Sequence, residues 1–316
     1  MMVSNLRSSA IRAFLLHWLG VFKAAGKNWI DSQAFIYAAA LAFFTVFSIA
    51  PVVILVVAVL GLVLGEDAAR AELMGQLEAV MGAQAVGVVE TAIQNSHIQD
   101  SGLWPTLAGL AATVVGATTV FAQMQKSLNQ IWDVAPRPTR NSLWLFLKAR
   151  LLSLTMVLSV GFVLLVSLVL GVVVRAIIEH AEQWLPVPGW LMLGVEPVIS
   201  LTVVTLLFAA IFRILPDVVL EWRDVFAGAL ITALLFTVGR SLIAWYLAST
   251  AAASAYGAAG SLVLLLLWVN YSSLILLIGA SICRANLEAA GRTIRPRNTA
   301  VRVHRALVED DAGAGA

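Results

Sequence analysis

The chain has 316 residues, of which 60% are hydrophobic and only 12% charged, and its mean hydropathy is +0.91. Soluble domains have about 45–50% apolar and 25% charged residues, so this composition excludes a soluble globular protein and predicts a polytopic membrane protein. The single cysteine, Cys283, excludes an intramolecular disulfide and a multi-cysteine metal site. The formal net charge of +2 says nothing about nucleic-acid binding, because the charges of this chain are informative by their position along the sequence.

The first segment, residues 1–33, predicts an amphipathic helix. Its apolar residues recur at the spacing of one helical face, while Arg12, His17 and Lys23 lie off that face. Such a helix lies in the membrane interface or packs on the inner mouth of a helical bundle, and the pattern fits both arrangements. The apolar face consists of Ile11, Phe14, Leu15, Trp18, Leu19 and Phe22.

Six apolar runs follow, and each is long enough to cross a bilayer as a helix. The first contains Pro51 just past its middle, which predicts a kinked span or, alternatively, a broken helix that lines a binding site. Residues 65–102 are acidic and predict two short amphipathic helices outside the membrane core. The fold class is therefore all-α, with six transmembrane helices behind the amphipathic helix. The spans cover about 34–64, 103–122, 151–177, 191–215, 225–248 and 258–282, and a tail over 283–316 is basic and then disordered.

The positions of the basic residues predict the orientation in the membrane. Sixteen of the twenty lysines and arginines lie in alternate connecting segments, and the other connecting segments hold only Arg70. Because basic residues stay on the cytoplasmic side, we expect both termini in the cytoplasm and the 65–102 segment on the outer side. The basic segments are 1–33, 123–150, 216–224 and 283–316.

Arg240 lies well inside the fifth span, about 5 Å from its midpoint. An arginine at the centre of a transmembrane helix costs about 2.5–3.5 kcal/mol on insertion scales, so it needs a partner or a wet cavity. Glu196, near the outer end of the fourth span, is the predicted partner. The alternative is that Glu196 is interfacial and that Arg240 extends outward to the membrane surface.

Other polar residues fall near the membrane midplane. Thr45 and Ser48 precede Pro51 in the first span, and Asn270 and Tyr271 lie near the centre of the sixth. Together with Arg240 and Glu196 they predict a polar substrate path, or, equally, hydrogen bonds that only fix helix packing.

The sequence has no signature of an enzyme, a metal site or a cofactor site. The four histidines are scattered over different segments, and the chain lacks a P-loop. We therefore expect no enzyme activity, no metal and no cofactor, with the lipid bilayer as partner and no nucleic acid bound. The acidic residues of the predicted cytoplasmic segments are interpreted as members of local ion pairs: Asp133, Asp217, Glu221 and Asp224.

Four stretches of the chain, in order and spacing, resemble the YihY/BrkB family of bacterial inner-membrane proteins. The resemblance implies six helices with both ends in the cytoplasm, and it implies no settled biochemical activity. Some members carry the label ribonuclease BN, which these residues do not support. Asn270 and Arg284 are mild departures from the family pattern. The stretches are AAALAFFTVFSIAP (38–51), LNQIWDV (128–134), LPD with the following W and GA (215–229), and YGAAGSLVLLLLWVNYSSLILLIGA (256–280).

Three classes of function follow from this pattern. A transporter, permease or exporter of a small solute or lipid-like molecule explains polar residues at the midplane. An envelope scaffold explains them as contacts between helices. A membrane-embedded enzyme is the weakest of the three, because no nucleophile or metal cluster is apparent. The sequence favours no particular oligomeric state.

Overall fold

The computed structural model describes residues 2–81, 86–87, 89–91, 103–137, 189–249 and 257–304. Within these ranges the protein is mostly helical. The predicted third span, 151–177, lies outside the described residues, so the count of six spans stays a prediction. The elements are α1 (Met2–Asp31), α2 (Ala34–Leu64), α3 (Glu66–Met81), α4 (Leu103–Ile131), β1 (Val134–Pro136), α5 (Gly189–Ile214), α6 (Trp222–Ser249), α7 (Gly257–Ala289) and β2 (Ala300–Arg302).

Three of the described helices are long and apolar enough to cross a membrane. The apolar stretches are Ala34–Ala58 in α2, Trp222–Leu242 in α6 and Leu262–Ala289 in α7, and α5 contains a shorter one, Ser200–Ile214. The prediction of a helical membrane protein is therefore confirmed at this coarser level.

Helix α2 is continuous through Pro51, so the broken-helix alternative is wrong. Gly65, with φ at 82°, then joins α2 to α3 by a single residue. Ala69 and Leu73 of α3 are buried in the same apolar cluster as Val57 of α2. The apolar face of α3 thus packs on α2, as suits an amphipathic helix, and its position outside the membrane core stays a prediction.

The helical spacing predicted for the segment after α2 explains how α3 packs. Leu73 and Leu77 lie one turn apart and pack against the apolar clusters, whereas Glu72 and Glu78 are exposed. The acidic composition therefore describes one face of α3, and the apolar face decides where the helix lies.

Helices α6 and α7 pack along a seam of small residues. Three positions show the close approach: Gly228 lies against Cys283, Gly279 against Thr232, and Gly239 against Tyr271. Along the seam, the residue numbers of the contacts rise in α6 (228, 232 and 239) while those of their partners fall in α7 (283, 279 and 271), so the two helices are antiparallel.

A layer of aromatic rings joins α5 to this seam. The ring centroids of Phe208 and Phe236 are 5.8 Å apart, and those of Phe236 and Trp268 are 5.9 Å apart. Phe212, one turn further along α5, reaches the contact between Gly279 and Thr232. Helices α5 and α6, which contain the predicted spans four and five, are therefore antiparallel neighbours, as the short connection between them requires.

Helix α1 packs on the bundle through one face. Trp18, Val21 and Ala25 contact a cluster that contains Ile278 and Ile282 of α7. Three members of the predicted apolar face remain exposed instead, namely Leu15, Leu19 and Phe22. The face that packs on the bundle is thus shifted from the predicted one, and Trp18 belongs to both.

The structure departs from an all-α fold at one end of the bundle. Here β1 and β2 form a two-stranded antiparallel sheet in which Val134 opposes Arg302. Strands of three residues are too short for an alternating pattern to reveal them in a sequence. We call this end, which consists of residues 128–137, 213–224 and 284–304, the polar end. Residues 305–316, predicted as a disordered stub, lie outside the described residues.

Candidate functional site

The first group of polar residues surrounds Arg240. Gly239 precedes it in α6 and packs directly on the ring of Tyr271, which follows Asn270 in α7. The structure thus brings Arg240, Asn270 and Tyr271 to one level of the bundle. All three side chains are half-buried.

An apolar layer separates this group from the polar end. Phe236 lies one turn before Arg240 in α6, and its ring contacts the rings of Phe208 and Trp268. Arg240 therefore has aromatic neighbours on the side that faces the polar end. Sequence reasoning did not identify this layer, because its rings come from three different helices.

Thr45 and Ser48 lie close to the level of Asn270. The surrounding stretch of α2, from Ala42 to Ile49, packs with Leu265 and Val269 of α7. This places the two hydroxyl residues about one turn of α7 from Asn270. Ser48 is buried and Thr45 is half-buried.

Pro51 has a packing role in α2. Its ring lies so close to Gly116 of α4 that a Cβ atom at Gly116 would be 2.9 Å from the Pro51 Cγ. The residue therefore fixes the approach of α2 to α4. This contact is compatible with a neighbouring path, but it is not itself polar.

Glu196 is farther from Arg240 than its place in the sequence suggests. Phe208 packs on Phe236, so the α5 residue level with Arg240 is close to Val204. Glu196 lies two turns beyond that residue, about 12 Å along the axis. The Glu196 side chain is outside the described part of the structure, and Arg240 forms no ion pair with any described residue. The Arg240–Glu196 ion pair stays a prediction, and the axial separation of about 12 Å between the two residues argues against it.

The second group is centred on the buried Asp217 at the polar end. Its carboxylate accepts a hydrogen bond from Asn129 Nδ2 at 2.8 Å and another from Gln125 Nε2 at 3.2 Å. The backbone N–H of Asp217 donates to Asn129 Oδ1 at 2.8 Å. Two amide side chains of α4 therefore hold the connection between α5 and α6.

The interpretation of the four acidic residues as local ion pairs is partly wrong. Glu221 does pair with Arg223 close to it in the chain. Asp217, in contrast, makes no ion pair within the described ranges. The remaining two pairs join distant parts of the chain: Asp133 with Arg284, and Asp224 with Arg292. The sequence did contain one signal, because Asn129 and Asp217 both lie in stretches that carry the family resemblance.

Arg284 caps the C-terminal end of α4. Its guanidinium donates to the carbonyl oxygen of Ile131, the last residue of α4, and to the Asp133 carboxylate at 2.7 Å. A cation at this position satisfies a free helix carbonyl and interacts favourably with the helix dipole. Arg284, at which the sequence departs from the family pattern, thus has a structural role in this chain.

The fold and these two groups define a class of protein: a helical membrane protein with polar residues inside the bundle and a polar network at one end. The sequence matches the family model described as Virulence factor BrkB over residues 25–302. The chain belongs to this family, in agreement with the resemblance of its four stretches.

The chain is similar to several bacterial proteins, two of which are named as membrane proteins. It is 27% identical over 220 residues to the ribonuclease-like protein YfkH of Bacillus subtilis, which covers 67% of this chain and 76% of YfkH. It is 26% identical over 251 residues to a UPF0761 membrane protein of Mannheimia succiniciproducens, covering 78% and 82%. For a UPF0761 membrane protein of Aggregatibacter aphrophilus the identity is 27% over 183 residues, covering 57% and 61%. No solved structure matches the chain.

Proposed function

We propose that this protein moves a small solute or lipid-like molecule, anionic or amphipathic in character, across the bacterial inner membrane. The path runs through the bundle at the level of Arg240. The observation that supports this proposal is the grouping of Arg240, Asn270 and Tyr271 at one level of two apolar helices.

The cost of a charge inside a membrane supports the functional interpretation of Arg240. Such residues usually face the interior of a bundle or a wet cavity and mark the route of a substrate. Arg240 is half-buried, and one turn away Phe236 packs against both neighbouring helices. A guanidinium has five N–H donors and a permanent positive charge, which suits the acidic group of an anionic cargo.

The distribution of basic residues supports the orientation that we propose. It gives cytoplasmic termini and a cytoplasmic polar end. We propose no catalytic step, and the ribonuclease-like name of the Bacillus subtilis relative is not extended to this chain. Among the described residues, the polar side chains at or near the level of Arg240 include an amide, a phenol and two hydroxyls, which suit the binding and orientation of a molecule.

Exchanging Arg240 tests the proposal. Arg240→Lys keeps the charge and should retain most of the activity, whereas Arg240→Gln should lose about tenfold or more, since a hydrogen bond to a charged group contributes about 1.5–3 kcal/mol. Activity is measured as restoration of the metabolite and lipid profile of cells that lack the protein. The exposed Arg223 supplies the control variant, Arg223→Gln. If Gln at position 240 restores the profile as fully as Arg, the charge does not meet the cargo and the scaffold interpretation is favoured.

A further inference from the structure

An exposed strip of apolar residues runs along the membrane-spanning part of α6 up to the polar end. Trp222, Phe226, Leu230 and Leu234 follow one another at intervals of four residues, which places them on one side of the helix, and all four are exposed. The apolar stretch that is long enough to cross a membrane begins at Trp222. This residue therefore marks the level at which the lipid-facing surface of α6 meets the polar end.

The connection between α5 and α6 continues this apolar surface. The side chains of Ile214 and Val219 are exposed there, and we call these two residues and Trp222 the rim. Tryptophan is enriched at the level of the lipid headgroups, where an apolar ring with a polar N–H fits both the acyl chains and the water. The composition of the rim is thus that of a surface at the edge of the bilayer.

Arg213 is held against the rim by two contacts. Its guanidinium lies over the Trp222 ring, with Cζ 4.4 Å from the ring centroid, and its Nε donates to the carbonyl oxygen of Leu220 at 3.3 Å. Within the described ranges Arg213 forms no ion pair, and its Nη groups form no hydrogen bond. The guanidinium is therefore fixed in orientation while donors that suit a phosphate or carboxylate remain free.

Two further arginines come to the rim from the segment after α7. The Arg297 guanidinium donates to the carbonyl oxygens of Arg213 and Ile214, each at 3.1 Å. The carbonyl oxygen of Arg295 accepts a hydrogen bond from the Val219 N–H at 2.9 Å. Residues that are more than 80 positions apart in the chain thus bring three positive charges to one place.

The segment that carries Arg295 and Arg297 is firmly anchored. Ile294 and Ala300 are buried, and Arg292 pairs with the buried carboxylate of Asp224. The Arg295 side chain is exposed and forms no ion pair within the described ranges. Because the backbone is already fixed, binding of an anion here does not require the segment to become ordered first.

The acidic residues near the rim do not cancel its charge. Glu221 pairs with Arg223, with Oε2 and Nε 2.6 Å apart, so these two charges offset each other. The Asp217 carboxylate is buried and accepts its hydrogen bonds from amides of α4. Even with that carboxylate counted, the three arginines leave the rim with an excess of positive charge.

We propose that the rim binds the headgroup of an anionic phospholipid from the adjoining leaflet. The lipid phosphate lies against the guanidinium groups of Arg213 and Arg295, and the acyl chains follow Trp222 and the exposed side of α6. Arg297, whose donors are occupied by backbone carbonyls, adds to the local charge. A leaflet rich in anionic lipids has a negative surface potential that attracts such a cluster. This binding needs no path through the bundle, so it stands or fails independently of the proposed function.

The test is the lipid preference of the purified full chain, measured by native mass spectrometry in detergent with equal amounts of phosphatidylglycerol and phosphatidylcholine. We expect the protein to retain phosphatidylglycerol preferentially. Arg295→Gln and Arg213→Gln should each lower this preference about fivefold, the usual contribution of one basic residue near an anionic membrane surface. The matched control is Arg302→Gln, which removes the same charge from an exposed residue of the same segment but lies on β2, beside β1. It should leave the preference unchanged.

Three results would contradict the lipid site. The wild-type protein could show no preference for phosphatidylglycerol, or Arg295→Gln could retain it as well as Arg302→Gln does. Inorganic phosphate in excess should leave the bound lipid in place; if it displaces the lipid and binds by itself, the ligand is the free anion. Because Arg295→Gln removes no side-chain contact found within the described ranges, it decides the test even if Arg213→Gln fails to fold.

Discussion

Alanine at position 279 is expected to destabilise the protein by about 1–3 kcal/mol, the usual cost of forcing an added group into a well-packed interior. The new methyl group would overlap the Thr232 hydroxyl and lie 2.9 Å from Phe212 Cζ. Both neighbours are completely buried, so neither has space to move away. The measurement is the midpoint of thermal unfolding of the purified protein in detergent.

The matched control is the same substitution where the structure has room. A Cβ atom at Gly26 in α1 meets nothing within 4 Å. Because glycine is about 1 kcal/mol less favourable than alanine inside a helix, Gly26→Ala should leave stability unchanged or raise it. A Gly279→Ala protein as stable as Gly26→Ala would show that α6 and α7 do not pack through this seam.

Aspartate in place of Asn129 is expected to destabilise the polar end by about 3 kcal/mol or more. The change removes the Nδ2 donor that Asp217 uses and places a second carboxylate against the first in a buried site. An uncompensated buried charge and a lost hydrogen bond to a charged group both act in this direction. The same thermal unfolding assay measures the loss.

Exchanging the two residues gives the control. In Asn129→Asp/Asp217→Asn, one amide again faces one carboxylate, and the backbone N–H at position 217 still has an acceptor at position 129. The double variant should therefore be more stable than Asn129→Asp alone, with a coupling energy of about 1–3 kcal/mol. Losses that simply add would show that the two side chains do not interact.

The sequence predicted those parts of the fold that depend on local pattern. Long apolar runs gave α2, α6 and α7, because the length needed to cross a bilayer is set by helix geometry alone. The cost of Arg240 in an apolar run was enough to single it out.

The polar end was not predictable in the same way. The partners of Asp217 are 88 and 92 residues away along the chain, and rules for nearby charges favour neighbours instead. The pairing of Arg284 with Asp133 likewise depends on how α4 and α7 meet.

The most direct test of the proposed path is the reactivity of single cysteines with a small water-soluble thiol reagent in intact membranes. Cys283 is first replaced by alanine, and cysteines are placed at positions 45, 240 and 270. Phe47→Cys is the control, because Phe47 lies in the same helix as Thr45 but its side chain is 68% exposed on the outside of the bundle, where lipid excludes water. We predict that the three path positions react and that position 47 does not. If all three stay unreactive while a cysteine at the exposed Arg223 is labelled, the bundle has no water-filled path and the transport proposal is wrong.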